Sequence, residues 1–322
     1  MRRCNLNISQ VKKVAEEIRE NIGKVIIGKN DIIDLVLVSL LSNGHVLLED
    51  VPGLGKTMLA KSLAKSIDAH FARVQFTPDL LPSDLTGVSI YNQKQGEFIF
   101  KKGPLFTNIV LADEINRATP RTQSALLECM EEHQITADGV TYRLDEPFFV
   151  IATQNPLETQ GTFPLPEAQM DRFFMRLSIG YPQIEEEIAI LTRFERDMPL
   201  EELKSVATKD VILKASQAVK TVAVSDDIKD YIVRIVTATR NSVRLILGLS
   251  PRGSLALMRA ARAYAAIKGR DFVIPSDVKT VAPHVMSHRV MLKGHSLSYG
   301  MKGTLDVINE ILDTVPVPTE EV

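Results

Sequence analysis

The chain has 322 residues, 45% of them hydrophobic and 24% charged, with a formal net charge of -2. That composition suits a globular protein that buries its own core, and it leaves no basic excess for a broad nucleic-acid surface. Two cysteines, Cys4 and Cys129, are too few for a disulfide framework, and with no signal-like or membrane-length apolar run they point to the cytoplasm.

The length favours a larger core followed by a smaller second domain. In chain order, Val11, Val14, Ile18 and Ile22 share one helical face and predict an amphipathic helix that docks on the core. Ile32 to Leu41 reads as a buried helix, and His45-Val46-Leu47-Leu48-Glu49 as a short buried strand. The turn that follows, Val51-Pro52-Gly53-Leu54-Gly55-Lys56-Thr57, lies between that strand and a helix from Lys56 to Ile67, the context a phosphate-binding loop requires. Its glycines let backbone N–H groups converge on phosphates, Lys56 can neutralise the outer phosphates, and the Thr57 hydroxyl can hold Mg2+. Asp50 stands where the usual pattern has its first glycine.

Further strands are expected at Ala72 to Phe76, Asn108 to Asp113, Phe148 to Thr153 and Phe174 to Ile179, with a helix at Thr122 to His133. This alternation predicts a mainly parallel sheet between layers of helices. Two hairpins interrupt it: Val88 to Phe100, turning near Gln95-Gly96, and Gln134 to Leu144, turning at Asp138-Gly139. The strand Ile109-Val110-Leu111-Ala112 delivers Asp113 and Glu114 to the carboxyl edge of the sheet, Asp113 to face Mg2+ and Glu114 to polarise an attacking water. Asn155 emerges at the same edge and is placed to orient that water or sense the γ-phosphate. Beyond Tyr181-Pro182 only helical patterns continue, to about Asp313, and the tail Thr314 to Val322 has little to bury. His284 and His288 have the i, i+4 spacing of some zinc sites but lack the accompanying glutamate, so they read as structural. Arg259, Arg262, Lys268 and Arg270 read as a solvated helix face or a contact to a neighbour.

Phosphate loop, paired acids and asparagine come in the order and spacing of the AAA+ ATPases. Asp113-Glu114-Ile115-Asn116-Arg117-Ala118, Gln123 to Glu132 and Leu165 to Phe173 resemble the signatures of the MoxR branch, and the resemblance spans residues 11 to 313. It implies an α/β P-loop NTPase fold: an αβα sandwich on a parallel five-stranded sheet, followed by a smaller all-α lid. The implied divisions are an N-terminal helix at 1–22, a nucleotide-binding core at 23–180 and a lid at 181–322. It also implies that Val25, Ile26, Ile27 and Gly28 receive adenine and that the stretch from Val51 through Met58 cradles the phosphates. Arg172 corresponds to an arginine finger reaching a neighbouring subunit's nucleotide. Arg252, in Ser250-Pro251-Arg252-Gly253, corresponds to a second sensor that meets the γ-phosphate of its own subunit. The hairpins match insertions of the helix-two-insert subgroup, where they move with hydrolysis. The implied activity is ATP hydrolysis with Mg2+ in a homo-oligomeric, hexameric ring that remodels or matures a partner protein, with metal-cofactor insertion as one such task and a von Willebrand factor A domain protein as the partner. A magnesium chelatase-like motor subunit and a nucleic-acid-associated AAA+ motor or transcription regulator are the alternatives. A switch that never turns over is disfavoured by Glu114.

Overall fold

The structure, a computed structural model, describes residues 6–158, 160–195, 199–293 and 300–318. Cys4 and the end of the C-terminal tail lie outside the described residues. In chain order the elements are α1 (Ile8–Gly23), α2 (Asn30–Leu41), β1 (Val46–Glu49), α3 (Lys56–Ser66), β2 (Phe71–Gln75), α4 (Pro82–Thr86), β3 (Gly87–Asn92), β4 (Glu97–Lys102), β5 (Ile109–Asp113) and α5 (Pro120–Glu132). Then come β6 (Gln134–Ala137), β7 (Val140–Arg143), β8 (Phe149–Gln154), α6 (Glu167–Met170), β9 (Met175–Leu177), α7 (Ile184–Phe194), α8 (Pro199–Glu202) and α9 (Lys209–Val219). The last are α10 (Asp226–Asn241), β10 (Leu245–Leu247), α11 (Pro251–Ile267), α12 (Pro275–Met286), β11 (Met291–Leu292) and α13 (Gly300–Thr314).

Five strands form one parallel sheet in the order β2-β5-β8-β1-β9. The central strands read as unbroken apolar runs because both faces are covered, as a parallel sheet between helices requires. Successive side chains point to opposite faces. Leu47, Val110, Ala112, Val150 and Ala152 therefore join Leu126, Leu127 and Met130 of α5 in one apolar cluster. Val46, Leu48, Ile109, Leu111, Phe149 and Ile151 join a second, larger one.

That second cluster does not stop at the core. It runs from the sheet through α1, α2 and α3 into α9 to α13, so the lid shares one continuous interior with a sheet face. Helix α1 buries Val11, Ala15, Ile18 and Ile22, and it packs against lid helix α11 as well as α2 and α3. Asp34 of α2, nearly fully buried, reinforces this junction: it accepts from Arg19 of α1 at 3.2 Å and from Lys268, just past α11, at 2.8 Å. Arg270 likewise closes on buried Asp277 at 2.6 and 2.7 Å, and Arg259 donates to the Ser42 carbonyl. The basic residues expected to form a solvated face are thus largely internal tethers; their acceptors are far off in sequence, or hidden on another helix. The lid is helical, with one addition to its expected all-α character: β10 and β11 pair as a small antiparallel ribbon. Strands of two or three residues are too short for alternation to show in sequence.

Both hairpins form where expected, β3 with β4 and β6 with β7. They lean on each other through stacked Phe100 and Tyr142, 4.7 Å apart between ring centres, and through Ser89 donating to Asp138. Exposed Tyr91 and Phe98 pair across the first hairpin.

Two histidines are sealed in this interior. His45 donates from Nε2 to the Met130 carbonyl at 2.9 Å and accepts at Nδ1 from the Val150 N–H at 3.1 Å, which identifies its neutral tautomer. Burial pulls its pKa down to about 4. His288 donates to the Phe173 carbonyl at 2.9 Å, and burial holds it well below the ordinary value. His284 turns instead to the backbone of Arg176, so the pair serves structural ends, and among the described residues no cluster of three or more His, Cys, Asp or Glu is placed to bind a metal.

Two predictions follow from this interior. The unfolded chain takes up a proton at a free histidine near 6.5 while folded His45 resists until about 4, so stability is complete above the first value and drains as pH falls toward the second. The urea midpoint should drop between pH 7 and pH 5 by an amount worth about 2 kcal/mol from this residue alone, and His45→Gln should flatten that slope. Truncating Ile18 to Ala should cost about 2–4 kcal/mol, and thermal unfolding should remain a single transition because helix, sheet face and lid share one interior; separate core and lid transitions would contradict it.

Candidate active site

Strand β1 ends at Glu49 and the chain turns through residues 50–55 into α3. Gly53 and Gly55 adopt φ of 88° and 81°, a region where side chains are strained, and at Gly53 no atom lies within 4 Å of where a Cβ would be. Gly55 N-caps α3 and has no side chain to satisfy its first N–H groups. An uncapped helix start behind a glycine turn is a ready anion site. Lys56 lies half-buried beside it, donating from Nζ to the Asp50 carbonyl at 2.8 Å. Burial lowers the Lys56 pKa, and the charges of Asp50, Asp113 and Glu114 oppose that shift. Thr57 follows on the first turn of α3. Backbone donors, an ammonium, a hydroxyl and two nearby carboxylates make a donor set that fits a nucleotide triphosphate with Mg2+.

The segment Val25 to Gly28 borders this loop: the Cβ position of Gly55 is 3.6 Å from Ile26 Cδ1. Val25 is buried, while Ile26, Ile27 and Gly28 line an open cleft of about 590 Å³ bordered on its other side by Ala189, Thr192 and Arg193 of α7. The cleft is apolar enough to take a flat base.

At the carboxyl edge, Asp113 accepts from Thr153 Oγ1 at 2.6 Å and from Arg73 at 2.7 and 3.1 Å. Glu114, held at φ 56°, accepts from Gln75 Nε2 at 2.7 Å and pairs with Arg117 at 3.1 Å, while its N–H donates to Thr153. Arg73, Gln75 and Thr153 were absent from the sequence expectation, and the register of β2 and β8 on β5 is what brings them in. The available signal was weak: two polar residues spaced by two in a strand that otherwise borders the core. Asn155 follows directly on β8, buried, with its side chain accepting from the Leu157 N–H at 3.1 Å. A cavity of about 950 Å³ opens behind this edge between Asn155, Arg176 and the lid and takes in no residue of the phosphate loop.

Arg172 and Arg252 lie elsewhere. Both close on one carboxylate, Glu131 at the end of α5: Arg172 at 3.2 Å and Arg252 at 2.7 Å, with Asp171 3.8 Å from Arg252. Buried Arg289, unmarked in sequence, holds Asp171 at 2.6 Å. Glu131 adjoins Met130, whose carbonyl meets His45 just before β1, and Arg172 precedes β9, which starts beside Val46. This cluster therefore sits at the amino edge of the sheet, with the four residues of β1, roughly 13 Å at 3.3 Å per residue, between it and the phosphate loop. The expectation that Arg252 meets the γ-phosphate of its own chain is corrected: α11 is fixed by the shared interior with its first turn at the opposite edge.

Known proteins align with the chain over this whole architecture. A profile of the ATPase family associated with various cellular activities matches residues 45–175, and one of the AAA lid domain matches residues 237–303. A Bacillus subtilis protein, YeaC, is 53% identical over 94% of this chain and 94% of its own length. A Mycobacterium tuberculosis protein named chaperone MoxR1 is 42% identical over 92% of this chain and 80% of its own. A crystal structure from Cytophaga hutchinsonii superposes with a TM-score of 0.88 at 40% identity, covering 96% of each chain. With a five-stranded parallel sheet, a phosphate loop at its carboxyl edge, a helical lid and full-length likeness to MoxR proteins, the chain belongs to the MoxR family of AAA+ ATPases.

Proposed function

We propose that the chain hydrolyses ATP at sites completed by a neighbouring copy and uses the cycle to remodel a partner protein. The observation that carries this reading is the division of the charged groups: Lys56, Thr57, Asp113 and Glu114 stand at one edge of the sheet, and Arg172 with Arg252 at the other. One chain therefore holds both halves of a site but not face to face. A head-to-tail ring brings them together, and six subunits is the size the family resemblance implies.

In such a site the backbone N–H groups of 53–58 and Lys56 bind the phosphate chain, with Asn155 at the water's side. Mg2+, held by Thr57 and Asp113, would supply positive charge against the outer phosphates. Glu114 accepts a proton from the water as its oxygen bonds to the γ-phosphorus, and the bond from phosphorus to the β-phosphate oxygen breaks to release ADP. Gln75 and Arg117 occupy that carboxylate here, so each must loosen its hold before Glu114 serves as base. Arg172 and Arg252, released from Glu131, neutralise charge on the neighbour's transferred phosphoryl group. Their pairs are substantially exposed and cost little to break.

A chaperone-type role follows the 42% identical relative of that name. Exposed Ile90, Tyr91, Phe98 and Ile99 on the first hairpin offer the partner an apolar handle, and a von Willebrand factor A domain protein of the cytoplasm, with metal-cofactor insertion as the task, fits the family resemblance. No helix among the described residues is long and apolar enough to cross a membrane.

Mixed assemblies test the shared site. Lys56→Ala should lose nucleotide binding. Glu114→Gln should bind ATP yet turn over at least about a hundredfold more slowly, and Arg172→Ala or Arg252→Ala should fall about a thousandfold with binding kept. Mixing Glu114→Gln with Arg172→Ala should restore turnover, since some interfaces then pair an intact glutamate with an intact arginine. Rates independent of protein concentration, with no recovery on mixing, would place the whole site within one chain.

A further inference from the structure

The residue that departs from the usual phosphate loop has a task of its own. Asp50 is buried, and its carboxylate accepts three hydrogen bonds from the segment that leaves β9: Ser178 Oγ at 2.6 Å, the Ile179 N–H at 2.7 Å and the Gly180 N–H at 3.2 Å. Its backbone carbonyl accepts from Lys56 Nζ at 2.8 Å. One residue thus touches the phosphate-binding lysine through its main chain and the start of the linker through its side chain. Glycine, usual at this position, could make the first contact and not the second.

The same linker is held along its length by other parts of the nucleotide cleft. Lys29, next to the base-binding segment, donates to the Tyr181 carbonyl at 2.8 Å and pairs with Glu186 at 3.5 Å. A Cβ on Gly28 would lie 1.9 Å from Glu186 Oε1, so the first turn of α7 rests directly on that segment. Past α7, Lys65 of the phosphate-loop helix α3 donates to the carbonyls of Leu200 and Glu201, both at 2.7 Å. Between these ties α7 has no buried residue, and Ile184, Ile188 and Leu191 stand exposed along one side. The lid helices, by contrast, are set in the interior they share with the sheet. A helix tied by hydrogen bonds and an ion pair at its start, with no buried residue along its length, is the part of this region with least resistance to movement.

We propose that Asp50 is a positioning residue that couples occupancy of the phosphate loop to the linker 178–186, making α7, rather than the body of the lid, the element that nucleotide displaces. When Lys56 turns from the Asp50 carbonyl to a phosphate, the peptide after Asp50 loses its partner and is free to rotate. A side chain with two torsions, pinned by three donors, carries that rotation to Ser178, Ile179 and Gly180. This inference rests on the nucleotide reading above.

Hydrogen exchange of the full chain, with and without a non-hydrolysable ATP analogue and Mg2+, tests it alongside binding of a fluorescent ATP analogue. In wild type the analogue should change exchange across 178–192. In Asp50→Ala that segment should exchange faster by about fivefold or more and no longer respond, although the analogue still binds, and kcat should fall by a larger factor than KM rises. Asp50→Asn keeps one strong acceptor and should respond partially. Ser178→Ala removes one donor outside the loop and should also respond partially, so the test stands even where Asp50→Ala does not fold. A full response in Asp50→Ala, or in both Asp50→Asn and Ser178→Ala, would overturn the coupling. An analogue that binds wild type without altering 178–192 removes this inference alone; an analogue that does not bind removes the nucleotide reading and this inference with it.

Discussion

Coverage of the sheet on both faces is the constraint from which the rest follows. With Val46, Leu47 and Leu48 fully buried and their neighbours on β5 and β8 equally so, no charged group can project from the middle of the sheet without losing its hydration. On these three strands polar chemistry is pushed to the ends; the buried charge at the middle of edge strand β9, Arg176, is retained with Glu49 as its partner at 3.3 Å. The carboxyl ends receive the phosphate loop, Asp113, Glu114 and Asn155, and the amino ends receive Glu131, Asp171, Arg172, Arg252 and Arg289. The head-to-tail reading is a consequence of that exclusion as much as of any single residue.

The two edges are held in different ways. At the carboxyl edge every acid is already engaged: Asp113 by Arg73 and Thr153, Glu114 by Gln75 and Arg117. The two arginines offset carboxylates that would otherwise repel each other, and Thr153 and Gln75 add neutral hydrogen-bond donors. At the amino edge Arg289 is the fixed member, its side chain almost wholly buried and bound to four backbone carbonyls, those of Asp171, Phe173, Phe174 and Val285, in addition to the Asp171 carboxylate. Burial lowers its pKa, with Asp171 opposing the shift. Arg172 and Arg252 remain at the surface on one shared carboxylate, with Asp171 as a second and more distant acid for Arg252.

Much of this was legible in sequence because it depends on local pattern. Short unbroken apolar runs located the core strands, period-3.6 apolar spacing located the first helix, and Asp138-Gly139 located a hairpin, each from residues within a short window. The glycine turn ahead of α3 and the placement of Asp113-Glu114 at a strand end were legible for the same reason. What escaped depends on register and on contacts between distant segments. Gln75 reaches Glu114 only because β2 lies in a given register on β5. Arg252 carries no local mark of the edge it occupies; the shared interior around α11 decides that, and the expectation of a contact within its own chain failed there. Asp50 looked like a defect in a pattern, and its three donors are about 130 residues further on.

The continuous interior also bears on how the chain is made. Helix α1 leaves the ribosome well before α11, yet part of its apolar face is covered by that helix, some 240 residues later. At about 5–20 residues per second, that face waits on the order of 10–50 s for its cover. The same holds for the sheet face beneath the lid, so the nucleotide-binding half does not mature as an independent unit during synthesis. Nascent chains of this protein therefore carry an extended period of exposed apolar surface, and a message truncated before α11 yields a product with that surface permanently open to aggregation.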